Sequence, residues 1–81
     1  MKSYKLKFAT NANDNFKYHI LTSSFSLNFD NLFFDIDNDS LLLHTAITLI
    51  KRFNGDIHKT PEGYTVIIPV KYLTDIETLT D

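Results

Sequence analysis

LLLHTAITLIKRFNG, residues Leu41 to Gly55, is the stretch on which the fold turns. Leu43, Ala46, Ile47, Ile50 and Phe53 recur at i, i+3, i+4, i+7 and i+10, which places them on one face of a helix. Lys51 and Arg52 suit the negative end of the helix dipole, and Asn54–Gly55 supplies a left-handed stop. Upstream, Asp37 or Asp39 of the run DIDNDS offers a carboxylate to the first unpaired helix amides. The spacing predicts a helix over about residues 39 to 54. Leu41, Leu42 and Leu49 widen its apolar arc beyond what one sheet face needs, so a hairpin or a second chain is expected over the excess.

Toward the N-terminus the period changes from helical to alternating. Tyr4, Leu6 and Phe8 share one face of a strand over residues 3 to 10, with Lys5 and Lys7 on the other. Asn11 to Asn15 is rich in short amides that bond their own backbone and reads as a hairpin loop. A second strand follows from Phe16 to Thr22, with Lys17 and His19 opposite Phe16, Tyr18 and Ile20. From Ser23 to Ile36 the alternation weakens, giving one bulged strand or two short ones broken near Asp30 and Asn31.

Toward the C-terminus, Asp56 to Thr60 reads as a strand, Pro61 to Gly63 as a turn and Tyr64 to Val70 as a dense β-forming run. Pro69 lacks a ladder donor and belongs at an edge or a strand end. Lys71 to Asp81 fits either a short docked helix or a frayed tail. The expected fold class is α+β: a single domain over residues 1–81, with an antiparallel sheet of four or five strands on one main helix, in the order β-β-β-α-β-β.

Ile47 to Val70, ITLIKRFNGDIHKTPEGYTVIIPV, is similar in rhythm to the last helix and hairpin of sensor-kinase-type ATPase domains. In that family nucleotide binding uses an Asn-bearing helix, an Asp-x-Gly-x-Gly segment and further glycine-rich boxes. Here Gly55 and Gly63 are the only glycines, each in a predicted turn, so the resemblance implies a shared helix-to-hairpin layout and no phosphate cradle.

Composition narrows the function classes. The chain has 81 residues, 43% of them hydrophobic, which is material for one core and too little for a second domain. A formal charge of −2 gives no field that holds polyanions generally. The lack of cysteine removes disulfides, thiolate nucleophiles and cysteine metal sites, and a cytoplasmic setting without membrane association is expected. His19, His44 and His58 have neither an i, i+4 nor an H-x-H spacing, so no metal or cofactor is expected on them. Asp35, Asp37 and Asp39 repeat as D-x-D-x-D, yet Ser40 and Ala46 stand where a calcium loop needs Gly and Glu. A helix-capping cluster, or an acidic patch for a basic partner, accounts for them better. Ser23, Ser24 and Ser26 near His19 lack a nucleophile elbow, so catalysis is not expected.

The expected activity is stoichiometric binding or inhibition of another protein. Small phage or mobile-element inhibitors of host defence are one setting compatible with the size. The binding face would combine Asp30, Asp35, Asp37 and Asp39 with the aromatic anchor Phe33. The alternative is a nucleic-acid-binding face made of Lys5, Lys7, Lys17 and His19, with no acid among them. A small enzyme with an unrecognised site is the third class. Homodimerisation through an edge strand or the apolar helix surface is a further expectation.

Overall fold

Alternation of apolar and polar residues builds the larger part of the chain, and the computed structural model describes residues 3–9, 17–38 and 41–80. Among these the order is β1 (Ser3–Ala9), β2 (Lys17–Thr22), β3 (Phe25–Asn28), β4 (Asn31–Asp37), α1 (Leu42–Phe53), β5 (Asp56–Lys59), β6 (Gly63–Pro69) and β7 (Leu73–Thr80). A 3-10 turn at Val70–Tyr72 precedes the last strand. The strands form two antiparallel sheets, one ordered β2-β1-β7 and the other β3-β4-β6-β5. The expected class, an antiparallel α+β domain on one main helix, is the class observed.

The strand inventory is larger than four or five in one sheet, for two physical reasons. Ser23 to Ile36 is a hairpin, with Asn28 opposite Asn31 and a two-residue loop at Phe29–Asp30. The C-terminal segment is neither helix nor frayed tail but β7, paired along β1. Its register shifts between Lys7 and Phe8, so Leu73 stands opposite Phe8 while Asp75 stands opposite Lys7. The extra residue, Thr74, donates its hydroxyl to the Lys7 carbonyl at 3.2 Å. This bulge lets Leu73 and Ile76, three residues apart, both pack on the core, a spacing that imitates a helix.

One core joins the inner faces of both sheets to the helix. Leu6, Phe8 and Ile20 come from the three-stranded sheet, Leu32, Phe34, Ile36, Val66 and Ile68 from the four-stranded one, and Ala46, Leu49 and Phe53 from α1. Phe53 is the junction: its ring stacks on Tyr72 at 4.5 Å and meets Phe8 and Tyr18 at 6.1 Å. Tyr4 and Phe25 close the sheets on one another edge to face, centroids 4.9 Å apart. Having two sheets to cover explains the wide apolar arc of the helix. Leu49 is fully buried and Leu42 packs on the core, whereas Ile47, assigned to the buried face, is 40% exposed and Leu41 is 93% exposed.

The helix ends as its sequence predicts. Asn54 is left-handed, with φ 57°, and its amide bonds the Ile50 carbonyl. Gly55 is needed for closeness rather than for a left-handed turn, since a Cβ there would lie 2.3 Å from the Ile67 carbonyl oxygen. At the other end the helix begins at Leu42, behind an N-cap Leu41 that makes no side-chain capping bond, with no acid in the first turn. Asp37 is the last residue of β4 and makes no capping bond, which corrects the Asp37 half of that expectation. Asp39 lies outside the described residues, as does the Asn11–Asn15 hairpin loop.

Candidate functional site

β4 alternates across its sheet, and the alternation separates core from surface. Leu32, Phe34 and Ile36 face inward and are buried, so Phe33, Asp35 and Asp37 project together from the outer face. On the neighbouring β6, Ile67 pairs with Phe33, Thr65 with Asp35 and Gly63 with Asp37. β5 continues the same rows with Asp56 opposite Ile67 and His58 opposite Thr65. An apolar pair, Phe33 and Ile67, both half-buried, thus has carboxylates beside it along and across the strands.

The carboxylates are held in different ways. The Thr65 hydroxyl donates to Asp35 Oδ1 at 2.6 Å, which fixes that side chain against the sheet. Asp56 Oδ2 lies 3.2 Å from His58 Nε2, and its Oδ1 accepts from the Ile57 amide. Gly63 lets β4 and β6 approach beside Asp37, because a Cβ at that position would sit 2.0 Å from the Ile36 carbonyl oxygen. Next to Asp35 an open depression of about 380 Å³ runs to the sheet edge, lined by Ser24, Ser26, Asn28, Phe33 and Thr65 among others.

Asp30 does not join this group. It sits in the β3–β4 turn, at the far end of β4 from Asp37, and shares a separate hollow with Asn31, Pro69, Val70 and Lys71. Its carbonyl accepts the Val70 amide at 2.8 Å, which ties the turn to the end of β6. The expected five-residue face therefore reduces to Phe33, Asp35 and Asp37 among the described residues. Ile67 and Thr65 complete it. Alternation in Tyr64–Val70 already set Ile67 apart from its neighbours, but its pairing with Phe33 depends on register across 34 positions of sequence.

The basic N-terminal face has a different character from that expected. Lys5 and Lys7 do project from β1 away from the core, and His19 is exposed opposite Lys7. Lys17 opens β2 opposite Ala9. However, β7 sets Glu77 opposite Lys5 and Asp75 opposite Lys7, and Lys7 Nζ lies 3.9 Å from Asp75 and 4.0 Å from Glu77. The expectation that no acid stands among these cations is corrected by a strand whose position no local pattern announces. Lys7 is thus drawn toward two carboxylates, and the face around it is of mixed charge.

Among the described residues, no group of three or more His, Cys, Asp or Glu side chains is gathered as a metal site. His19, His44 and His58 lie on β2, α1 and β5 respectively. No helix among the described residues is long and apolar enough to cross a membrane. In comparisons with known proteins, no family model, curated protein or solved structure matches the chain.

Proposed function

We propose that this chain acts by stoichiometric recognition of another protein, which docks on the outer face of the four-stranded sheet. The observation that carries this reading is the grouping of Phe33 and Ile67 with Asp35 and Asp37 on a face turned away from the core and from α1. An apolar centre with charges around it is the usual anatomy of a recognition patch: the centre supplies desolvation and the charges supply orientation and approach. The acids select a partner with a basic rim.

Affinity capture from the native cell tests this with three forms of the protein. Wild type and a Lys5→Glu/Lys7→Glu variant are expected to retain the same partner, while Asp35→Lys/Asp37→Lys loses it with its circular dichroism unchanged. Retention by the aspartate variant, or loss only with the lysine variant, contradicts the reading.

A further inference from the structure

Among the described residues, the four sheet edges are unequally protected. β2 carries the polar His19 on its exposed side, β5 carries Asp56 and Lys59, and β7 carries Asp75 and Glu77. Charges on an edge oppose the addition of a foreign strand. β3 reads Phe-Ser-Leu-Asn, with neither charge nor proline. Asn28 and Asn31 close its two-residue loop, and a closing pair exchanges its own hydrogen bonds. The N–H and C=O groups of Phe25 and Leu27 therefore point to the open side.

The two faces of this edge differ. Leu27, in the inner row with Leu32, is 54% exposed, and Phe29 beyond it is 95% exposed. On the outer face Ser26 and Asn28 border the depression whose one charged lining residue, among those described, is Asp35. We propose that β3 accepts an extended segment of a partner protein as an added strand, with side chains alternating between apolar toward Leu27 and basic toward Asp35. This rests on the reading of the outer face as the recognition surface and specifies what lies along its margin.

Charge complementarity selects that occupant. The added strand lies two strand spacings from β4, about 10 Å, which the combined reach of a lysine and an aspartate side chain spans. A second copy offering its own β3 brings no cation to Asp35. It satisfies the backbone and leaves the carboxylate unanswered.

The test uses the full chain and two capped peptides, one alternating valine with lysine and one alternating valine with glutamate. The valine–lysine peptide is expected to bind saturably, to slow amide exchange at Phe25 and Leu27, and to bind about tenfold tighter than its counterpart at low salt. Asp35→Asn removes that preference. Leu27→Lys, which charges the edge, weakens binding with the amide spectrum still folded. Unchanged exchange at Phe25 and Leu27, equal affinity for the two peptides, or peptide-free dimerisation that protects the same amides overturns the proposal. Partner capture that survives Leu27→Lys but fails with Asp35→Lys leaves the face reading standing and overturns the edge proposal. Capture indifferent to Asp35→Lys and Asp37→Lys overturns the face reading, and the peptide preference at β3 then decides the edge proposal alone.

Discussion

Phe29 holds a left-handed backbone, φ 56°, with its ring almost wholly in water. An L-residue with a Cβ pays about 1–2 kcal/mol for that conformation, and an exposed phenyl returns none of it through burial. The Asp30–Val70 hydrogen bond fixes the turn that imposes it. Glycine at this position should stabilise the fold by about 1 kcal/mol, a rise of about 4–8 °C in the melting midpoint. If Phe29 anchors a partner, the same variant also binds more weakly. A lower midpoint for Phe29→Gly contradicts the strain argument. Gly63 makes the opposite case, since alanine there drives a Cβ into the Ile36 carbonyl oxygen. Gly63→Ala is expected to cost more than about 2 kcal/mol by urea denaturation, and a cost near zero shows that β4 and β6 can separate freely.

At the scale of elements, Phe53 joins α1 to the three-stranded sheet and to the 3-10 turn that precedes β7. Phe53→Ala removes the stack on Tyr72 and the contacts with Phe8 and Tyr18, and should destabilise by about 3–5 kcal/mol. Asp37 is the contrasting test: because it ends β4 rather than capping α1, Asp37→Ala, which removes any capping oxygen, should leave the helical circular dichroism signal and the melting midpoint unchanged. A marked loss of helix would restore the capping role. The helix itself was legible because Ala46, Ile50 and Phe53 repeat at its period and Asn54–Gly55 marks its stop. Pairing of β1 with β2 was legible from the alternation of Leu6, Phe8, Tyr18 and Ile20. β7 was not, because its bulge at Thr74 breaks the period of two and sets Leu73 and Ile76 at a helix-like interval. Asp37 misled for a related reason: a carboxylate shortly before a helix looks the same in sequence whether it ends a strand or begins a cap.

At the scale of the whole molecule, the surface divides by which long-range pairings form. β7 returns to β1 and sets Asp75 and Glu77 beside lysines, while β6 returns to β4 and gives Phe33 an apolar neighbour in Ile67. Parity within β4 was enough to put Phe33, Asp35 and Asp37 on one face. The departure of Asp30 depends on where the hairpin turns, and the pairing of the basic face depends on a strand more than sixty residues away along the chain. Hydroxyl-radical footprinting of the chain, alone and with its captured partner, tests the central claim most directly. The account predicts that oxidation of Phe33 and Ile67 falls in the complex while Leu21, exposed on the three-stranded sheet, is oxidised as before. Protection of Leu21 with Phe33 and Ile67 unchanged would contradict it.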